Sequence, residues 1–242
     1  MAEANRKHKG DTFVAAQIEY GDQNTVSLTS ARQNFAEIEK GISLFEAAMK
    51  EAFGPTGSMQ AGKDLNNCLI SSHSELRRRR PDLSINMPSD MAEMLKTVGE
   101  ARWVRTIAVH VRPGRVDEFE AHVKLLKEGV ERHGPGPATA VSQAILGQHG
   151  TVFYLSTFRK SLAEFDTTLP PLRQILGDDG YRDVQKGSAE NVQSSETTLS
   201  RFLPELSNAP KEIADASPEF WNPKPAPAMK PKSKPAGTKA GD

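Results

Sequence analysis

Residues 71–84 read SSHSELRRRRPDLS and residues 194–207 read SSETTLSRFLPELS, so the chain writes one segment twice. Earlier in each half, Gln17 and Gly21 fall on Gln143 and Gly147, and Thr25-Val26 on Thr151-Val152, at a spacing of 126. A one-residue shift places Ala36-Glu37 on Ala163-Glu164. The spacing then becomes 123, pairing Gly54, Gly57, Lys63, Ser71, Leu76, Pro81, Leu83 and Ser84 with Gly177, Gly180, Lys186, Ser194, Leu199, Pro204, Leu206 and Ser207. The four residues lost between Glu37 and Gly54 are about one helical turn, so the gap falls inside a predicted helix and keeps its face. Solenoid repeats run about 20–50 residues. A period more than twice that means two copies of a small domain.

The second copy reads as β-α-β-β-α-β. Residues 102–112, RWVRTIAVHVR, alternate as a strand, with Ile107, Val109 and Val111 on one face and Thr106, Ala108, His110 and Arg112 on the other. Val116, Phe119, Val123, Leu126 and Val130 recur at helical spacing before GPGP ends the helix. Two strands, 138–146 and 151–158, flank the turn GQHG. Ser161 and Glu164 have capping-box spacing and predict a helix burying Leu162, Phe165, Leu169, Leu172 and Ile175, kinked at Pro170-Pro171. A last strand lies near 192–202. This order is the split ferredoxin-like unit. The fold expected is therefore α+β, with two such repeats paired sheet to sheet.

The first copy lacks the opening strand and most of the first helix, and EANRKHKG stands where EGVERHG ends that helix in the second. In the ferredoxin-like sheet the first strand is central, and each backbone group left buried without a partner costs about 1–3 kcal/mol. Either the start lies upstream, by about twenty-five residues or more, or another element fills the place. The boundaries read are 1–85 for the incomplete first repeat, 86–101 for a helical connector, 102–208 for the second repeat and 209–242 for a disordered tail. From Asn222 onward, NPKPAPAMKPKSKPAGTKAGD holds almost nothing that could be buried.

Lys plus Arg equals Asp plus Glu, 31 against 31, so no overall field favours a nucleic acid or an anionic membrane. Cys68 is the lone cysteine, which excludes an internal disulfide and a multi-cysteine metal site. No stretch approaches the eighteen or so apolar residues of a membrane helix, and AEANRKHKG after Met1 has no apolar signal core. The expectation is a cytoplasmic chain as written, with export open if the start lies upstream.

The passages VHVRPGRVDEFEAHVKLLKE and VSQAILGQHGTVFYLSTFRKSLAEFD resemble the dimeric α+β barrel superfamily, which includes antibiotic-biosynthesis-type and haem-degrading monooxygenases and NIPSNAP-like proteins. The resemblance covers about 102–208, with a partial copy over 12–85. It implies that the two units pair within one chain as two subunits do elsewhere, a homodimer being left open. It also implies that one sheet face packs on helices while the other faces a cavity. Haem-degrading members carry an axial histidine on the helix after the third strand. Residues 161–176 and 36–53 contain none, so no cofactor is expected.

With Ile107, Val109 and Val111 toward the helices, His110 and Arg112 face the cavity. Ala16, Ile18 and Tyr20 form the more apolar row of their strand, so Gln17 and its counterpart Gln143 are expected on the cavity row, joined by Tyr154. Arg112, Gln143, Tyr154 and Gln17 are the candidate ligand contacts and His110 the candidate general base, since an imidazole can exchange a proton near neutrality. His122 and His133 are read as surface residues too far apart to share a metal. Arg77–Arg80 lack interleaved aromatics and are read as a solvated strand end that discourages edge pairing. No P-loop, G-x-S-x-G or dinucleotide fingerprint is present. Two functions follow: a non-catalytic module, structural or binding a small molecule, or a cofactor-independent monooxygenase or isomerase using His110.

Overall fold

The computed structural model describes residues 1–134, 136–166 and 170–222. In chain order the elements are α1 (Ala2–Lys7), β1 (Val14–Tyr20), β2 (Val26–Thr29), α2 (Phe35–Cys68), β3 (Leu76–Arg79), α3 (Met91–Glu100), β4 (Trp103–Val111), α4 (Val116–His133), β5 (Thr139–Leu146), β6 (Thr151–Arg159), α5 (Leu172–Asn191), β7 (Val192–Phe202), α6 (Lys211–Ala216) and α7 (Pro218–Trp221). The seven strands form one antiparallel sheet in the order β2-β1-β7-β4-β6-β5-β3. The expected pair of sheets facing each other is thus replaced by a single sheet, in which strands of residues 1–85 extend both edges of the strands from residues 102–208.

The alternation of β4 places Ile107, Val109 and Val111 against Phe119 and Val123 of α4, where they join Val141, Phe153 and Leu83 in the main core. The Phe119 and Phe153 rings meet at 4.9 Å. Each such side chain removed from water stabilises by about 1.5–3 kcal/mol. On the opposite face a second core gathers Val14, Ala16, Val104, Phe158 and Phe202 beneath α3, α6 and α7. α3 occupies the connector, with Asp90 Oδ1 accepting from the Glu93 N–H at 3.0 Å as its cap.

Two elements differ from expectation. Residues 211–221, placed in the tail by composition, instead fold as α6 and α7, and Ile213 and Trp221 are buried. The Trp221 indole N–H donates to the Gly99 carbonyl at 2.7 Å, which ties the segment to α3. Residues 223–242 lie outside the described residues. The helix expected from Ser161 is divided into a short 3-10 turn, Leu162–Phe165, and α5. Glu164 accepts from the Lys160 N–H at 2.9 Å rather than completing a box with Ser161, and Leu162 and Leu172 are exposed. Leu169 falls outside the described residues. Among those residues, no helix is long and apolar enough to cross a membrane.

Two sets of contacts bind the sheet at its crossings. Ser84 Oγ accepts from the Val141 N–H at 2.9 Å and donates to the Arg80 carbonyl at 2.9 Å. Ser207 Oγ accepts from the Ala15 N–H at 2.8 Å and donates to the Leu203 carbonyl at 2.7 Å. Arg80 N–H reaches Val141 O, and Leu203 N–H reaches Ala15 O, each at 2.8 Å. Ile85 and Thr139 exchange backbone hydrogen bonds, as do Asn208 and Phe13. α2 and α5 are both broken at a glycine, Gly54 and Gly177, each with φ of 71°.

Candidate ligand-binding face

The sheet has two faces of different character. One carries α4 and α5. The other is covered by α3, α6 and α7 only at the end marked by Val104, Phe158 and Phe202. At its other end the register sets Ser194, His110 and Val152 side by side, and next to them Glu196, Ala108, Tyr154, Ser142 and Arg79. Ser194 and Glu196 are exposed and His110 is half-buried. Val152 and Tyr154 beside them are buried, so this end of the face opens to solvent along β7, at Ser194 and Glu196.

His110 and Tyr154 are diagonal neighbours on this face, about 7–8 Å apart at Cα. The Tyr154 hydroxyl donates to Glu75 Oε2 at 2.7 Å, Gln148 Nε2 donates to the same oxygen at 2.8 Å, and His73 Nε2 lies 3.2 Å from Gln148 Nε2. Arg77 ion-pairs with Glu75 and stacks over the Tyr154 ring, its guanidinium carbon 3.4 Å from the centroid. Burial, then the hydrogen bond to Glu75, pushes the Tyr154 hydroxyl up to about 12. Burial also pushes the Glu75 carboxyl up, but the hydrogen bonds from Gln148 and Tyr154 and the Arg77 charge outweigh it and hold Glu75 below the usual range. Tyr154 therefore stays protonated and Glu75 ionised around neutrality. His110 makes no side-chain hydrogen bond among the described residues.

The five residues singled out from sequence do not all meet. His110 and Tyr154 share the open face. Gln143 does not: it lies across from Phe153, on the helix face, where it accepts from Arg78 at 3.2 Å and Arg80 at 3.4 Å. Gln17 lies across from Arg201 and is likewise on the helix side. The two glutamines do share a face, but it is the one opposite His110. The error has a physical cause: Ala16 is apolar because α3, α6 and α7 cover that end of the open face, so the more apolar row did not mark the α4 side. Arg112 lies beyond β4, exposed, after a register shift between His110 and Val111.

His122, expected at the surface, packs between helices. Its Nε2 lies 3.3 Å from Ser188 Oγ, and a β-carbon at Gly187 would stand 2.5 Å from its Nδ1. Burial pushes its imidazole down. The arginine run divides by strand alternation. Arg77 and Arg79 fall on the Tyr154 face, while Arg80, largely buried, clamps Glu120 of α4, Nη2 to Oε2 at 2.6 Å, and Asp82 at 2.7 Å. β3 is an edge strand, but only Arg77 and Arg78 of its run are exposed. Glu75, Gln148 and His73, which complete the Tyr154 cluster, went unnoticed in the sequence because they sit in loops with no periodicity to mark them.

No family model matches this chain, and no curated protein matches it. Among solved structures it is similar to the "putative monooxygenase" of Lactobacillus acidophilus NCFM, with a TM-score of 0.47 and 11% identity over 83% of each chain. It is also similar to an anthrone oxidase-like protein, with a TM-score of 0.47 and 11% identity over 83% of this chain and 80% of that one.

Proposed function

We propose that the chain is a non-catalytic binding module whose ligand is a small molecule bearing a carbonyl or carboxylate, held on the open face by His110 and the Tyr154–Arg77 pair. One observation carries this reading: a half-buried imidazole with no hydrogen-bond partner among the described residues stands beside a cluster whose members already satisfy one another. Tyr154 and Glu75 are held far from proton exchange at neutral pH, which suits a fixed recognition surface better than acid–base work. Calorimetry with small carboxylates and ketones tests it. Binding lost in His110→Ala and retained in Gln17→Ala supports the assignment, and binding indifferent to His110 removes it.

The unengaged imidazole favours a second reading, in which His110 is the general base of a cofactor-independent monooxygenase or isomerase. A positioned base contributes about 10²–10⁴-fold. Oxygen uptake or isomerisation falling by that factor in His110→Ala separates this reading from simple binding.

The architecture that supports the face is proposed to be a tandem repeat, residues 1–85 and 102–208 joined by α3, pairing within one chain. Ser84 and Ser207 match at 123, Val141 and Ala15 at 126, and their contacts are reciprocal: each half's serine holds the other half's strand. Gly54 and Gly177 match at 123 and break their helices with the same φ.

A further inference from the structure

Within residues 102–208, β4 lies between β6 and β7, and α4 lies beside α5. The matching strands of the first half are β2 and β3, and each has one partner strand among the described residues. Burial follows this difference. Val26 lies across from Gln17 and Leu28 across from Ala15, as Phe153 lies across from Gln143 and Leu155 across from Val141; Phe153 and Leu155 pack in the main core, whereas Val26 and Leu28 are 46% and 64% exposed. The helix layer repeats the contrast. Leu176 lies against Gly129, and Ser188 against His122, while the matching Phe53 and Leu65 of α2 are 46% and 41% exposed. α1 stands where α4 makes its last turn: Ala4 matches Val130, both are buried, and Ala4 packs on Ala48 and Met49 of α2.

On the strength of the repeat correspondence, we propose that the free edges of β2 and β3, with the apolar side of α2, form a docking site for a partner polypeptide presenting one β-strand followed by an amphipathic helix. The strand pairs with both edges, and its helix covers Val26 and Leu28 as Phe119 of α4 covers Phe153. The helix lies along α2 and ends at α1, opposite Leu65 as His122 stands opposite Ser188. Arg78, exposed and without a carboxylate partner among the described residues, favours an acidic residue on the incoming strand. A second copy of the chain is a poor occupant, because pairing β3 with itself would bring Arg77, Arg78 and Arg79 against their own kind.

The test is hydrogen exchange on the whole chain with a synthetic peptide of residues 103–127, the matching strand and helix without the turn that α1 supplies. Amides of residues 26–29 and 76–79 are expected to exchange about tenfold or more slowly with the peptide present. Leu65→Asp is expected to weaken binding about tenfold or more. Protection at one edge only, equal protection by a peptide of scrambled order, no protection, or self-association of the chain through these edges would overturn the docking site. The repeat correspondence fails separately, by unequal stability losses at Ser84→Ala and Ser207→Ala.

Discussion

Tyr154 shows how one side chain carries several constraints at once. Its ring lies under Arg77, its hydroxyl is fixed on Glu75, and its backbone lies between Ala108 and Ser142 in the sheet. Glu75 is the hinge of this cluster, and its carboxyl is held low in the folded state. A depressed carboxyl contributes stability above its unfolded value, about 4.3, and that contribution is lost as pH falls through the folded value. The stability gap between the native chain and Glu75→Gln, read from urea midpoints, should therefore shrink between about pH 6 and pH 3. His122 behaves likewise for a different reason: burial disfavours its charged form, so the unfolded chain takes up the proton first as pH drops below about 6.5. The native chain should lose stability there, and His122→Gln should flatten that part of the profile. The alternation of residues 102–112 was enough to place His110 opposite the core. Placing His122 needed the helix pair, because a lone polar residue on an amphipathic helix reads as solvated until its partner helix is known.

At the scale of elements, the second half was legible because each of its strands and its first helix carries one clear period. The order β-α-β-β-α-β and the strand bounds of β4, β5, β6 and β7 agree with that reading to within a residue or two. Composition misled at the C-terminal side. Residues 209–221 group with the proline-rich run that begins at Asn222, yet Pro210 and Pro218 each directly precede or begin a short helix, where proline's missing N–H costs nothing. Apolar residues too few to show periodicity, Ile213, Phe220 and Trp221, are enough to cap the second core. Trp221 is 2% exposed and stacks near Phe202 at 5.6 Å. Trp221→Ala should cost about 3–5 kcal/mol in a urea melt. A loss below about 1 kcal/mol, the range of surface substitutions, would return this segment to the tail.

For the whole molecule, joining two halves edge to edge makes the sheet continuous, so neither half's strands are complete without the other. The crossings depend on two serines in equivalent surroundings, each buried and each satisfying a strand N–H from the opposite half. Removing either hydroxyl leaves a buried donor unpaired at about 1–3 kcal/mol. Ser84→Ala and Ser207→Ala should lose nearly equal stability, each in a single cooperative transition. The repeat in the sequence pointed to pairing, and the sheet-to-sheet arrangement expected from it gave way to an edge-to-edge one, because hydrogen bonds between strand edges leave no mark in hydrophobic periodicity. The central claim is that a carbonyl- or carboxylate-bearing molecule binds the open face at His110 and Tyr154. Amide chemical-shift mapping by NMR, during titration with a ligand found by calorimetry, tests it most directly. The largest shifts should fall at residues 108–110, 152–154 and 194–196 and vanish in His110→Ala; shifts centred on Gln17 and Gln143, or unchanged in that variant, would contradict it.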